Sequence, residues 1–161
     1  MKSIYFLLLF PLIAAFSTSE TPEQSVNRML NKWHVAASEA DFQSYFSYFT
    51  GDDAIFMGTD ATEKWTISEF KPWAKPYFDR ESAWTFIPES RSVYFNENNT
   101  IAWFDEVLSS SHMGECRGTG VLILTDGEWK IAHYNLSVPI PNDLLGDFVE
   151  MIANSEDGQD D

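Results

Sequence analysis

Apolar and polar residues alternate most regularly between Glu115 and Pro141, in two runs that flank the dipeptide Asp126-Gly127. A period of two is typical of β-strands, since successive side chains point to opposite faces of a sheet. Asp-Gly tolerates the positive φ angles that tight hairpin turns require. The pattern therefore predicts a long β-hairpin with its turn at Asp126-Gly127.

The hairpin carries polar residues on the face that we expect to be buried. If Trp129 and Ile131 point into a core, the same alternation places His133 and Asn135 on that inner face, further along the strand. The odd-numbered residues of the partner strand carry Arg117 in the same way. We therefore expect Arg117, His133 and Asn135 to face inwards at the open end of the hairpin.

Helical spacing of apolar residues precedes the strands. A threonine, a proline and an early acid begin an amphipathic helix over 21–38, and a second helical stretch over 40–49 is rich in aromatic residues. Both helices are expected to pack on a sheet. A third helix over 67–80 contains Pro72 and Pro76, which predict that it is split into short pieces.

Shorter runs predict the remaining elements. Strands are expected over 54–57, 84–88, 92–95 and 101–109, and Asn142 can cap a last short helix. Because the later strands follow one another in sequence, we expect neighbouring strands to pair antiparallel.

The strand over 101–109 places Asp105 between two apolar residues on one face. If this strand pairs with the strand of Arg117, and that strand with the strand of His133, the three polar side chains meet on the concave face of the sheet. Asp105 and His133 are then the candidate catalytic residues, with Asp105 acting as a base or orienting His133, while Arg117 holds an anionic or carbonyl group. The alternative is a structural ion pair, because a buried carboxylate needs such partners.

The aromatic residues of the predicted core can line a cavity for an apolar ligand, which needs hydrophobic walls and a few polar groups. His34 borders the apolar stripe of the first helix and either faces this cavity or is an ordinary helix histidine. Asp60 and Glu63 lie in a polar loop after the first strand, where rim residues of a pocket are common. The residues that we expect to bind the ligand are Trp33, His34, Tyr45, Trp103, Arg117, Trp129 and Asn135.

The first residues of the chain predict export. One lysine precedes an apolar run from Ile4 to Phe16, which is followed by small residues and is too short for a membrane span. We expect a cleaved signal peptide over 1–19, a single domain over 20–154 and an acidic, disordered tail over 155–161. The mature protein is then secreted or periplasmic.

Charge and cysteine content argue against several classes of function. The chain has 161 residues and a formal net charge of −15, so it repels phosphate backbones and anionic lipids, and we expect no nucleic-acid or membrane partner. Cys116 is the only cysteine, so no intrachain disulfide forms, and we interpret it as a structural thiol. The three histidines have no short spacing and no glycine-rich phosphate loop is present, so the sequence predicts no metal and no cofactor.

The order of these elements resembles the SnoaL-like branch of the nuclear transport factor 2-like superfamily. The stretch DFQSYFSYFTGDDAIFMGTD is similar to an early part of that fold, and GTGVLILTDGEWKIAHYNLSVPIP is similar to its closing hairpin. The resemblance extends from about Val26 to Pro141. It implies an α+β fold in which a curved, mixed or antiparallel sheet forms a cone around the N-terminal helices. It also implies a cavity at one end of the cone and frequent dimerisation through the sheet.

The superfamily hosts unrelated functions, so the resemblance leaves two functions open. It includes ketosteroid isomerase, scytalone dehydratase and polyketide cyclases, and also a non-catalytic association domain of calcium/calmodulin-dependent kinase. The first expectation is a domain that binds a small, largely apolar molecule in the cone, with or without acid–base chemistry of the isomerase, dehydratase or cyclase type. The alternative is a non-catalytic dimerisation or interaction module. In both cases we expect a homodimer through the sheet.

Overall fold

The computed structural model describes residues 20–157. The predicted signal peptide and the last four residues, 158–161, lie outside the described residues. The elements in chain order are α1 (Pro22–Ser38), α2 (Phe42–Ser47), β1 (Ile55–Met57), β2 (Lys64–Thr66), α3 (Ile67–Phe78), β3 (Ile87–Phe95), β4 (Ile101–Ser110), β5 (Gly114–Thr125), β6 (Glu128–Ser137) and α4 (Leu145–Asp157).

The strands form one six-stranded sheet in the order β2-β1-β6-β5-β4-β3. Neighbouring strands are antiparallel, except that β1 and β6 run parallel. Helices α1 and α3 lie against the sheet, and α2 packs on both of them. The predicted fold class is confirmed: an α+β cone in which a mixed sheet encloses the N-terminal helices.

Helix α1 fills the centre of the cone. Its start is fixed by a capping box, in which the Thr21 hydroxyl accepts a hydrogen bond from the Gln24 N–H while the Gln24 side chain accepts one from the Thr21 N–H. Trp33, in the middle of the apolar stripe, packs with its ring centroid 5.2 Å from Tyr45 on α2 and 4.7 Å from Tyr134 on β6. Aromatic packing of this kind joins the helices to the sheet.

Strands β4, β5 and β6 separate an inner face from an outer face. On β4 and the first part of β5, buried side chains alternate with exposed or half-buried ones. On β6 the alternation is interrupted, because Val121 pairs with His133 while Leu122 pairs with Ile131, which leaves Ala132 as an extra residue. Such a β-bulge moves the side chains of all later residues of the strand to the opposite face of the sheet. The buried inner residues are Ala102, Phe104, Glu106, Leu108, Cys116, Gly118, Gly120, Leu122, Trp129, Ile131, Tyr134 and Leu136.

Two local predictions differ from the structure, and one short strand is not predicted. Helix α3 is continuous although it contains Pro72 and Pro76, since its buried apolar face packs into the core and compensates for the missing hydrogen bonds. Residues 87–95 form a single strand with a bulge between Pro88 and Ser90, where the sequence predicts two strands. Strand β2 has only three residues, too few for a recognisable period.

The last predicted helix is confirmed as α4, which has an apolar stripe that is not buried. The side chains of Leu145, Phe148, Val149 and Ile152 are between 42 % and 57 % exposed. The helix includes residues 155–157, which the sequence assigns to the disordered tail. Among the helices of residues 20–157, none has the length and apolar character needed to cross a membrane.

Candidate functional site

The polar residues that the sequence places inside the cone lie on the outer face of the sheet. Asp105, His133 and Asn135 are half-buried there, and Arg117 is exposed. Asp105 shares a register row with Asn135, whereas His133 and Arg117 lie in the rows on either side. The predicted inward orientation is therefore wrong, and the assignment of these residues to a site inside the cone loses its geometric basis.

Two features of the hairpin explain this reversal. The two-residue turn pairs Leu124 with Trp129, so the even-numbered residues of β5 share the face of Trp129 and Arg117 lies outside. The bulge at Ala132 then reverses β6, which turns His133 outwards although Trp129 points inwards.

The predicted ligand-binding residues on the helices are buried. Trp33, Tyr45 and Trp129 belong to the core, and only 7 % of His34 is exposed. The Trp33 indole Nε1 and the Tyr45 hydroxyl are buried without a hydrogen-bond partner among the described residues. Trp103 lies on the outer face and is 46 % exposed, so its predicted place in the cavity is wrong. A ligand-binding role for the four buried residues stays a prediction.

The buried acid of the inner face is Glu106, which lies opposite Arg91 on β3. Its Oε2 accepts hydrogen bonds from Arg91 Nε and Nη2 at 2.9 and 2.7 Å. Its Oε1 accepts one from His34 Nε2 at 3.0 Å and one from the Tyr134 hydroxyl at 3.2 Å. We call these four residues the Glu106 cluster; it joins α1, β3, β4 and β6.

The charges of the Glu106 cluster follow from burial and pairing. Burial raises the pKa of the Glu106 carboxyl, but the hydrogen bond from His34 and the positive charge of Arg91 outweigh it and hold this pKa below its usual value. Tyr134 stays neutral, because burial and the charge of Glu106 raise its pKa well above the usual value. Each Glu106 oxygen already accepts two hydrogen bonds, so no lone pair is left to take a proton from a ligand. We therefore interpret the cluster as structural.

Arg91 extends the Glu106 cluster along α1. Its Nη1 donates hydrogen bonds to the side-chain oxygens of Asn27 and Asn31, each at 3.0 Å. Asn27, Asn31 and His34 lie on one side of α1, since spacings of three and four residues bring side chains to the same helix face. These contacts fix the position of α1 inside the cone.

The sequence contains a signal for the Glu106 cluster that alternation alone does not reveal. The strand over 101–109 has one acid on each face, Asp105 and Glu106, and its period does not show which face is buried. Gly118 lies directly opposite Glu106 on β5. A methyl group at position 118 would collide with the Tyr134 hydroxyl and approach Glu106 Oε1 to 2.8 Å. Glycine inside a strand often marks a close approach of neighbouring groups. Gly118 therefore indicates that Glu106 lies on the inner face.

A separate cavity of about 230 Å³ lies at the end of the sheet that holds the turn between β4 and β5. It lies between α3, the residues that precede β3, the turn between β4 and β5, and the inner face of β1 and β6. Leu136, the inner residue of β6 that follows Tyr134, lines it, so the cavity is closer to the open end than the Glu106 cluster. Most of its lining residues are aromatic: Phe56, Trp65, Phe70, Trp73, Tyr77, Trp84 and Phe86.

The rings of this wall have a defined arrangement. Trp65, Trp73 and Tyr77 follow one another with centroids 4.7 and 4.9 Å apart; the first pair is tilted by 36° and the second is stacked. Trp84 stands at 61° to Tyr77 with a centroid distance of 6.3 Å. Trp73 and Tyr77 lie four residues apart on one face of α3, and Trp65 lies on β2, which leads directly into that helix.

Glu63 is the one charged residue among those that line the aromatic cavity. It ends the loop between β1 and β2, where its Oε2 accepts a hydrogen bond from the Asp60 N–H at 3.2 Å. The Glu63 carbonyl accepts a second one from the Gly58 N–H at 2.9 Å. A side chain at Gly58 would collide with the Glu63 carboxylate. Glu63 thus occupies the rim position that the sequence suggests for this loop, whereas Asp60 does not line the cavity.

Neither a metal site nor a reactive thiol is found in residues 20–157. No three His, Cys, Asp or Glu side chains converge in this part of the chain as metal ligands would. Cys116 is buried on the inner face of β5, and burial raises the pKa of its thiol. A buried thiol with a raised pKa is unreactive, which supports its interpretation as structural.

The comparisons with known proteins agree with this fold. A family model described as a SnoaL-like domain matches residues 26–141. An NTF2-like protein of unknown function from Pseudomonas putida KT2440 has a TM-score of 0.61 and 12 % identity, with 78 % of this chain and 93 % of that chain covered. No curated protein matches the chain.

Two further solved structures carry functional descriptions. One, from Novosphingobium aromaticivorans, is assigned as a scytalone dehydratase; its TM-score is 0.60 and its identity 12 %, over 73 % of this chain and 84 % of that chain. The other, from Xanthomonas campestris, is assigned as a calcium/calmodulin-dependent protein kinase II association domain; its TM-score is 0.57 and its identity 15 %, over 84 % and 99 %. At such identities the likeness shows the fold alone.

Proposed function

The chain belongs to the SnoaL-like domain family, and on that premise we propose that it binds a small, largely apolar aromatic molecule at the open end of its cone. The observation that carries the proposal is the aromatic wall around a cavity of about 230 Å³. Hydrophobic walls with few polar groups are typical of small-molecule sites, and pockets for drug-sized ligands have volumes of about 300–1,000 Å³. The volume therefore favours a ligand of one or two rings.

Binding is the function that the geometry supports best, and catalysis is the weaker candidate. Acid–base chemistry of the isomerase, dehydratase or cyclase type needs a titratable group with a free lone pair beside the ligand. Glu106 has no free lone pair, and Asp105 and His133 lie on the outer face. A carboxylate for such chemistry would have to be Glu63, which lies in the cavity wall.

The binding proposal is tested by calorimetric titration with 2-phenylethanol, a neutral one-ring probe. Saturable binding is expected, and Trp73→Ala should weaken it about tenfold because the variant removes one aromatic ring from the wall. Trp103→Ala is the matched control, since Trp73 and Trp103 are 40 % and 46 % exposed but only Trp73 lines the cavity.

A second variant tests whether the cavity itself is the site. Ala83 lines the cavity, so Ala83→Leu places three more carbon atoms in it and should abolish binding of 2-phenylethanol. Circular dichroism checks that each variant is folded. The proposal is wrong if the folded wild-type protein shows no saturable binding, or if Trp73→Ala and Trp103→Ala weaken it equally.

A second candidate function is a homodimeric interaction module, for which the outer face of the sheet is the supporting observation. Tyr94, Trp103 and Val121 are neighbours across β3, β4 and β5, and Ile101 lies opposite Ile123. These five side chains are between 37 % and 47 % exposed, and none is an Asp, Glu, Lys, Arg or His. Exposed apolar patches mark interaction sites, and depletion of charge is typical of interface cores. The patch itself carries no acidic side chain, which lowers the repulsion between two acidic copies, so a second copy is the partner that fits.

The homodimer proposal is tested by sedimentation velocity at micromolar concentration. We expect a dimer that Trp103→Lys converts to a monomer, because the variant places a charge in the centre of the patch. Val35→Lys is the control, since Val35 is exposed on α1 and is not part of the patch on the outer face. A monomeric wild-type protein, or a dimer that only Val35→Lys disrupts, argues against this interface.

Export of the mature protein is a proposal that rests on the first residues of the sequence. The apolar run after Lys2 and the small residues that follow it support cleavage near residue 19. Intact-mass measurement of the protein secreted by its host, or recovered from its periplasm, tests this. A mass that retains residues 1–19 contradicts it.

A further inference from the structure

We propose that the aromatic cavity prefers an organic cation, such as a protonated amine that carries an aromatic ring, over a neutral or anionic ligand of the same shape. The inference rests on the proposed function, because it concerns the ligand of the same cavity. It depends on three observations: an unpaired carboxylate in the cavity wall, the ring types of that wall, and the charge of the chain.

The carboxylate of Glu63 has no cationic partner in the cavity. The lining residues include no Lys, Arg or His, so Glu63 is the one charged side chain of the wall itself. Its Oε2 is held by the Asp60 N–H, while its Oε1 accepts no hydrogen bond from the residues that the structure describes. A ligand ammonium can therefore donate to Oε1 in a charge-assisted hydrogen bond, whereas a ligand carboxylate would be repelled.

The rings around this carboxylate are of the types that attract cations. Three of them are tryptophans, whose faces bind a cation better than those of tyrosine or phenylalanine. One ring of the wall already contacts a cation, since the guanidinium carbon of Arg80 lies 4.7 Å from the Tyr77 ring centroid. Arg80 itself does not line the cavity.

The charge of the whole chain acts in the same direction. A formal net charge of −15 raises the concentration of cations near the surface and lowers that of anions. This long-range effect does not by itself distinguish one site from another. The contribution of Glu63 must therefore be separated from it by a control that removes the same charge elsewhere.

Three probes that share one apolar group test the inference: 2-phenylethylamine, which is a cation at pH 7, the neutral 2-phenylethanol, and the anion 3-phenylpropanoate. Calorimetry is expected to show that the amine binds about tenfold more tightly than the alcohol, with the anion weakest. Glu63→Gln should remove the preference for the amine and bring its affinity down to about that of the alcohol, since the variant removes the charge but keeps the shape of the wall. Glu97→Gln is the matched control, because Glu97 lies in the turn between β3 and β4.

The outcomes separate this inference from the proposed function. If the alcohol binds as tightly as the amine, or if Glu63→Gln and Glu97→Gln reduce the preference equally, the cation preference is wrong while the cavity remains a binding site. If none of the three probes binds, the proposed function itself fails. Loss of alcohol binding in a folded Glu63→Gln variant would show that Glu63 orients neutral donors, which also overturns the preference for cations.

Discussion

Glu106 shows how much of this fold depends on single side chains. A buried carboxylate is tolerated only when hydrogen bonds and an opposite charge replace its lost hydration. Arg91, His34 and Tyr134 supply four hydrogen bonds from three different elements. Removing one partner leaves the others buried without compensation, so substitutions here are expected to affect stability first.

We expect Glu106→Gln to lower the free energy of unfolding at pH 7 by about 3–5 kcal/mol, because the buried Arg91 then keeps its charge without a partner. Urea unfolding measures this loss. Asp105→Asn is the control, and its effect should stay within about 0.5 kcal/mol because Asp105 lies on the outer face. Equal losses in both variants would contradict the assignment of faces.

Glu106 also predicts a pH dependence of stability. Its pKa in the folded state lies below the value of 4.5 expected for an unperturbed glutamate. The stabilisation from its ionised form is therefore complete above about pH 4.5 and is lost as the pH falls through the folded-state pKa. In that acidic window the wild-type protein should lose more stability than Glu106→Gln. If the stability of the wild-type protein and that of Glu106→Gln fall equally as the pH is lowered, another acid controls the loss of stability.

Gly118 tests the packing of the Glu106 cluster from the opposite strand. A methyl group at this position would collide with the Tyr134 hydroxyl and press on Glu106. Gly118→Ala is therefore expected to cost about 1–3 kcal/mol in urea unfolding, as overpacking of cores does. Gly51→Ala is the control, since a Cβ there meets no atom within 4 Å. If Gly118→Ala leaves the free energy of unfolding unchanged, the cluster is less tightly packed than described.

At the scale of elements, the sequence predicts the hairpin correctly but not which of its side chains point to the core. The Asp126-Gly127 turn fixes which residues pair. That register alone places Arg117 and Trp129 on different faces of the sheet. The outward turn of His133 depends on the bulge at Ala132, which no local pattern predicts. The bulge changes which residues face inwards without changing the regular alternation of the sequence on either side of it.

Helix α4 adds little to the stability of the domain. Its apolar stripe is exposed, and the match to the SnoaL-like family ends at Pro141, before the helix begins. Truncation after Pro141 is therefore expected to change the free energy of unfolding by less than about 1 kcal/mol. Thermal unfolding of the shortened protein measures this. A large loss would show that α4 packs on the domain or on a second copy.

At the scale of the whole molecule, element order was enough to predict the cone but not the aromatic cavity. The walls of this cavity come from β2, α3, the residues before β3 and the turn between β4 and β5, which are distant in sequence. Periodicity places side chains on faces of single elements and says nothing about which elements meet at the open end. Only Glu63, in a polar loop beside a strand, was a visible candidate.

The molecule has two unpartnered apolar surfaces with different chemistry. The cavity is concave and aromatic with one acid, and it suits a small ligand. The outer face of the sheet carries an exposed apolar patch around Trp103, and it suits a second copy. Binding at one surface leaves the other free, so a ligand-binding dimer is compatible with both proposals.

The most direct test of the central claim is a crystal structure of residues 20–157 soaked with 2-phenylethylamine. We expect one ordered ligand in the cavity, with its ring between Trp73 and Trp84 and its ammonium within hydrogen-bond distance of Glu63 Oε1. A cavity closed by its own side chains, with the ligand absent or bound only on the outer face of the sheet, would contradict it. The interaction module would then be the function that the fold supports.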